Sequence, residues 1–300
     1  MCAAKEMRRV THMTWNIRGK RVLLTGGNSG IGFATCLELC RRGATVMLTV
    51  RDRAKGEQAV AEIRQAVPQA DISWKLLDLA EVHSIEALAK DLLEEGQPLH
   101  VLIHNAGVIL SERRQNSIGI EMTFMVNHLG PFLLQQRLEP LLKASAPARV
   151  VVVASSAHNR AVRGLNFDDL QYERSYSAGK VYGASKLANI LFTKELASRL
   201  EGTDVSANCL HPGVVRTQFT RDGDAGGLWG LMFGALRFLL LSPEKGARTS
   251  VHLATADPLP EPTGGYYSSC RPAKPNAAAR DKDAARQLWV ESERLIQSIH

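Results

Sequence analysis

Cysteine is scarce and dispersed: Cys2, Cys36, Cys40, Cys209 and Cys270 are the only five in 300 residues. An odd count with no paired close spacing argues against a disulfide framework and supplies no zinc site. Cys36 and Cys40 share a helix face, but two thiols alone make a poor metal site and pack well in a core. The expectation is a reduced, intracellular chain without a metal. Aromatic residues are also few, at 6%, and the arginines are scattered, so the formal charge of +7 comes without the basic stripe of a nucleic-acid surface. It reads as a solvated basic exterior with no nucleic-acid partner. Long apolar runs are missing as well. The N-terminal stretch has no signal-peptide core. The apolar stretch "AGGLWGLMFGALRFLLL", residues 225–241, carries Arg237 and several glycines. Its length, about 17 residues, only reaches the lower limit for crossing a bilayer. It is expected to serve as a substrate flap, within about 218–242, or as a peripheral membrane contact.

No Pro/Gly/Ser-rich linker, internal repeat or low-complexity tract divides the chain. With 45% hydrophobic and 22% charged residues, its composition is that of a soluble globular protein. Strand-like apolar runs alternate with helical patterns from Arg21 to about Tyr267. "RVLLT" leads through a glycine turn to "IGFATCLELCRRG", and "ATVMLTV" leads to "RAKGEQAVAEIRQAV". "DISWKLLDL" then leads to "EVHSIEALAKDLLEEG", and the buried-strand candidates "LHVLIHNAG", "ARVVVVASS" and "DVSANCLHPG" follow. This alternation predicts crossover helices on both faces of a mostly parallel sheet, hence one doubly wound α/β domain. Residues 1–18 form an N-terminal extension and 19–270 the domain. Residues 271–300 form a polar loop and a terminal amphipathic helix.

The turn "TGGNSGIG", Thr25 to Gly32, lies between a strand and a helix. Glycines there let the backbone approach a pyrophosphate, and helix-start N–H groups favour its charge. A tight strand-to-helix connection would also explain such a turn on its own; the flanking strand and helix tip the reading toward a dinucleotide. The second strand ends "LTVRDR". Arg51 has the charge and forked donors to hold a 2′-phosphate, which favours NADP(H), while Asp52 as a ribose ligand leaves NAD(H) open.

Polar residues recur where an apolar core does not need them: Asn127 in "FMVNHLGPF", Ser155 and Ser156 after "VVVA", and the helix that follows. Each alone is explained as a cap or turn residue. Unpaired buried polar groups are unfavourable, and ligands bind at the carboxyl ends of parallel strands, so together they mark a site. The ordered set "TGGNSGIG", "LLDL", "HNAG", "VNHLG", "VVVASS", "YGASK", "HPGVVRT" and "GGYYSS" resembles the short-chain dehydrogenases/reductases. "VNHLGPF", "SKLANILF" and "HPGVVRT" are most similar to the retinol dehydrogenase-like branch. The resemblance implies a Rossmann-type domain with a seven-stranded sheet. Gly26, Asn28, Ser29, Gly30, Ile31 and Gly32 would shape the pyrophosphate turn. Asp78 and Leu79 would contact adenine, and Asn105, Ala106 and Gly107 the ribose wall. Pro212, Gly213, Val214 and Thr217 would hold the nicotinamide carboxamide, and Ser156 would be the catalytic serine. Homo-oligomers through the helix bearing Tyr182 are a further implication. His104 departs from the family's Asn-Asn-Ala-Gly, which puts a strand-end contact in question.

"YSAGKVYGASK" holds two Tyr-x-x-x-Lys pairs, Tyr176/Lys180 and Tyr182/Lys186. Six residues turn an ideal helix by about 240°, so the pairs point about 120° apart and cannot serve one site. Gly179 places the first pair at or before the helix start. The second pair gains a role from the turn and the serine. Tyr182 is the expected proton donor or acceptor, and Lys186 lowers its pKa and binds the nicotinamide ribose. The serine holds the substrate oxygen, and Asn127 supports Lys186 through water. The expected activity interconverts an alcohol and an aldehyde or ketone on an apolar, retinol-like substrate. A reductase of bulky steroid- or tetrapyrrole-like compounds and a non-catalytic cofactor-binding sensor are the competing readings.

Overall fold

A computed structural model describes residues 15–213 and 242–298. Strand β1 (Arg21–Thr25) buries both of its faces, as the unbroken apolar run requires. Leu23 joins one core with helices α3 (Val82–Glu95), α5 (Gly130–Ala144) and α6 (Ala178–Arg199). Val22 and Leu24 join the other core with α1 (Gly30–Arg41), α2 (Arg53–Ala66) and α7 (Pro243–Thr255). Two cores on opposite faces of one sheet are the doubly wound arrangement that the alternating pattern predicts.

The remaining strands are β2 (Thr45–Val50), β3 (Ile72–Leu76), β4 (Val101–His104), β5 (Ala148–Val153), β6 (Val205–His211) and β7 (Tyr266–Ser268). The sheet order is β3-β2-β1-β4-β5-β6-β7, all parallel. A two-residue antiparallel strand, β8 (Arg271–Pro272), extends the seven expected strands to eight. Two residues carry no readable alternation, which hid it in the sequence. The order reverses between β1 and β4, so their carboxyl ends open the crevice where such sheets bind ligands.

Helix α6 is buried nearly all round from Val181 to Phe192, between the sheet and the terminal helix α8 (Lys282–Gln297). Trp289 of α8 stacks on Phe192 of α6 at 5.9 Å and 19°, under the Arg199 guanidinium. The C-terminal segment is therefore part of the domain's core, and the α6 face against α8 is internal. Trp15, counted with the N-terminal extension, is also docked. Its N–H donates to Asp257 Oδ2, its indole donates to Ala254 O, and the Arg149 guanidinium lies 4.1 Å from its ring.

Candidate active site

The glycine turn connects β1 to α1. Gly26 has φ +70°, which disfavours a side chain, and a Cβ at Gly32 would lie 2.1 Å from Gly26 O. Ser29 is extended and its side chain makes no cap, so the first-turn N–H groups of α1 stay available to an anion. Gly26, Asn28, Ser29, Gly30 and Ile31 are partly exposed along this turn, and Gly32 is buried beneath it. A cradle that no side chain could enter, at an uncapped helix start, fits a pyrophosphate. Thr25 Oγ1 accepts the N–H groups of Asn105 (3.0 Å) and Ala106 (3.1 Å). Asn105 Nδ2 donates to Thr25 O and Gly26 O. Asn105 thus fastens β4 to the turn through its backbone N–H and its Nδ2. Thr25, which the sequence reading did not single out, is the hub of that joint. His104 turns into the core against Phe192 and takes no part in it.

At the adenosine end, Arg51 is exposed just past β2. Asp52 is occupied as the N-cap of α2, its Oδ1 accepting the Lys55 N–H at 2.9 Å. Asp78 is partly exposed and accepts the Ala80 N–H, while Leu79 is 4% exposed with its side chain in the core. Any contact of Leu79 with a base would therefore be through its backbone.

A 22-residue helix presents Tyr182, Ser185 and Lys186 to the carboxyl ends of β4 and β5. Lys186 is 3% exposed, and its Nζ donates to Val153 O at 3.0 Å. Burial lowers its pKa to about 8. A Cβ on Gly107 would lie 3.1 Å from Asn127 Oδ1 and 3.2 Å from Lys186 Nζ, so both polar groups line one point under the β4 loop. Asn127 is fully engaged: Oδ1 accepts the Val108 N–H (2.7 Å), and Nδ2 donates to Val108 O and to Ser185 Oγ (2.9 Å each). Ser185 Oγ in turn donates to Tyr182 O at 2.8 Å. Asn127 therefore braces the β4 loop against α6 through direct bonds.

Burial raises the Tyr182 phenol, opposed by a hydrogen bond with the Ser155 side chain and by the positive charge of Arg160. The serine at the phenol is Ser155, where Ser156 was expected. Ser155 is still extended at the end of β5 and caps the 3₁₀ turn Ser156–Arg160, whereas Ser156 is already the first residue of that turn. The two Tyr-x-x-x-Lys copies also part. Tyr176 precedes α6, and its hydroxyl donates to Leu110 O at 3.1 Å as a loop anchor; Lys180 is exposed in the first turn.

Pro212 and Gly213 follow β6, and the Gly213 N–H donates to His211 Nδ1 at 3.1 Å. His211 stacks on Tyr266, and His158 meets the same ring edge-on. Neither histidine was singled out from sequence, since an isolated histidine beside a strand carries no periodic signal. Val214, Thr217, the flap 218–242 and the apolar stretch 225–241 lie outside the described residues. Among the described residues no helix is long and apolar enough to cross a membrane.

A parallel doubly wound sheet, a pyrophosphate cradle at its switch point and a Ser–Tyr–Lys–Asn cluster beside it define a nucleotide-dependent oxidoreductase. The family model described as short chain dehydrogenase matches residues 20–167 and 170–226, and the chain belongs to that family, whose members bind NAD(P)(H). Within it the chain falls in the retinol dehydrogenase-like branch. It is 43% identical over 291 residues to retinol dehydrogenase 14 of Mus musculus, covering 93% of this chain and 86% of that one. Retinol dehydrogenase 13 of Homo sapiens is 43% identical over 288 residues, covering 93% and 85%. Among solved structures, an uncharacterised protein of Mycobacterium paratuberculosis matches with a TM-score of 0.75 and 31% identity, over 95% and 96% of the two chains. The Pseudomonas aeruginosa RhlG/NADP active-site complex matches with a TM-score of 0.66 and 25% identity, over 84% and 94%.

Proposed function

We propose that this enzyme interconverts an apolar, retinol-like alcohol and its aldehyde or ketone with NADP(H), using Tyr182 as the acid and base. The observation that carries the reading is the convergence of Ser155 on the Tyr182 phenol, with buried Lys186 one helical turn away. A binding-only protein has no use for a proton donor held between a hydroxyl and a cation.

The bound nicotinamide would supply or take the hydride, and the chain must handle the proton. Tyr182 gives its hydroxyl proton to the oxygen of a carbonyl substrate as the alcohol forms, and takes it back in the reverse direction. A free phenol with a pKa near 10 is a poor base at neutral pH. Burial raises it further, and the Ser155 hydroxyl and the charge of Arg160 oppose that rise; the Lys186 ammonium, 5.7 Å from the phenol ring centroid, would add its charge when the phenolate forms. Ser155 would also hydrogen-bond the substrate oxygen and orient it toward Tyr182. Lys186 would hold the nicotinamide ribose, and Pro212 and Gly213 the carboxamide. Gly26 to Gly32 would hold the pyrophosphate.

Arg51 would pair with the 2′-phosphate. Support comes from Asp52, whose carboxylate is already used as a helix cap and presents Arg51 as the group left to read that position. The names of the retinol dehydrogenase relatives support the substrate class.

A panel of retinaldehyde, medium-chain aldehydes, steroid ketones and a tetrapyrrole, each with NADPH and NADH, tests the reading. The expected result is the highest kcat/KM for retinaldehyde with NADPH. A preference for a steroid or tetrapyrrole would replace the substrate class, and cofactor binding without turnover on any compound would leave a sensor.

A further inference from the structure

The C-terminal helix reaches into the network that holds Asn127. His128, the next residue, places Nε2 2.8 Å from Ser292 Oγ of α8, and both side chains are buried. Ser292 Oγ donates its own proton to Leu288 O at 2.7 Å, so it accepts from His128 and fixes the imidazole as the Nε2–H tautomer. Burial pushes the His128 pKa down to about 3, so the ring is neutral and this bond does not titrate in the working range. The surroundings are aromatic: Phe124, Phe132 and Phe192 lie 5.2, 6.1 and 6.0 Å from the His128 ring. Polar contacts between α8 and α5 occur at the rim, where Gln136 donates to Glu293. The His128–Ser292 bond lies inside. In an interface filled by rings, one directional hydrogen bond selects a register that apolar packing alone would leave loose.

Register matters here because Met125–Leu129 is a π-helix between α4 (Met122–Phe124) and α5. The Gly130 N–H reaches back five residues to Met125 O, and a Cβ on Gly130 would lie 2.5 Å from Leu79 O. A π turn is rare inside a helix and needs its surroundings to hold it. Through this turn Asn127 reaches Val108 and Ser185, while His128 reaches α8.

We propose that His128 and Ser292 are positioning residues for the reaction: their buried bond clamps the π-helix so that Asn127 keeps its bonds to Val108 and Ser185. Those bonds in turn hold Tyr182 and Lys186 in register with the β4 loop. The C-terminal helix, remote in sequence, is then a working part of the active site. This inference rests on the roles given above to Asn127, Tyr182 and Lys186.

The test compares full-length wild type with Ser292→Ala, which removes the acceptor, and Ser292→Thr, which keeps it. Amide exchange in peptides covering 125–129 and 181–186 is followed beside retinaldehyde turnover well below the unfolding temperature. Loss of one buried hydrogen bond predicts roughly tenfold faster exchange in both peptides in Ser292→Ala. It also predicts a kcat lower by about tenfold at an NADPH KM within about twofold, with both restored in Ser292→Thr. Should Ser292→Ala fail to fold, Ser292→Cys, similar in volume but a weaker acceptor, must show the same pattern at smaller amplitude. Faster exchange confined to α8, or a lowered Tm with unchanged kcat, would overturn the inference. If wild type turns over no carbonyl, the functional reading fails, and the exchange comparison still decides whether the clamp exists.

Discussion

The Ser155 hydroxyl meets the Tyr182 phenol across the gap between the end of β5 and helix α6, while its neighbour Ser156 starts a 3₁₀ turn. A hydroxyl that orients substrate and proton donor together contributes on the order of 10²-fold or more to rate. Ser155→Ala is therefore expected to lower kcat/KM for retinaldehyde by at least about 10²-fold, and Ser156→Ala by less than about fivefold. Side-by-side kinetics of the two variants check this, and the reverse order would return the role to Ser156.

Lys186 is an ammonium in a dry site with a carbonyl for a partner, and its pKa falls from 10.5 to about 8. The cation proposed to support the phenolate is present below about pH 8 and lost above it. Carbonyl reduction should accordingly decline as pH rises past about 8. Between about 8 and 10.5 the unfolded chain binds the proton that the folded chain has lost, so this residue's contribution to stability improves with rising pH. At neutral pH the burial is unfavourable by a few kcal/mol, since desolvation lowers the ammonium's pKa from 10.5 to about 8. Lys186→Met should then abolish turnover while raising Tm by a few degrees, measured by calorimetry at pH 7. A lowered Tm would mean that the ammonium is better paired than its bond to Val153 O implies.

Arg51 stands exposed beside a carboxylate already committed to capping α2. Removing a charge-assisted contact to a phosphate is worth about 10- to 100-fold. Arg51→Ala should raise the NADPH KM by that factor and leave the NADH KM within about threefold. Equal effects on the two cofactors would exclude Arg51 as the 2′-phosphate ligand.

His104 is buried with both ring nitrogens unpartnered; the Gln135 amide lies against it without reaching hydrogen-bond geometry. Burial lowers its pKa to about 4, and that of His128 to about 3. From about pH 6.5 down to 4 the unfolded chain takes up protons that these rings in the folded chain do not. Stability must therefore fall with pH across that window. His104→Leu should retain more of its pH 7 stability at pH 5 than wild type does, by urea unfolding at both values. Parallel losses would show that other groups set the acid limit.

Much of this architecture was legible because the parallel strands are buried on both faces and read as unbroken apolar runs. The same clarity placed the glycine turn at the end of β1 and the Tyr182–Lys186 pair on the helix after β5. What was hidden depended on direction rather than position. Ser155 and Ser156 are chemically identical, and only the point where β5 gives way to a 3₁₀ turn separates them. Thr25 looked like an ordinary strand residue, yet its hydroxyl joins β4 to the turn. The π-helix carries no sequence period of its own, and the partner of His128 lies 164 residues away. Asn105 was legible as a wall residue, but not that its Nδ2 ties two carbonyls of the glycine turn to β4.

The role proposed for Tyr182 is to move the proton. Retinaldehyde-dependent NADPH oxidation should be measured for wild type, Tyr182→Phe and Tyr176→Phe under identical conditions, with NADPH affinity recorded for each. Tyr182→Phe should bind NADPH and lose turnover by at least about 10³-fold, while Tyr176→Phe keeps activity within about fivefold at a lower Tm. Wild-type turnover in Tyr182→Phe, with loss in Tyr176→Phe, would contradict the account.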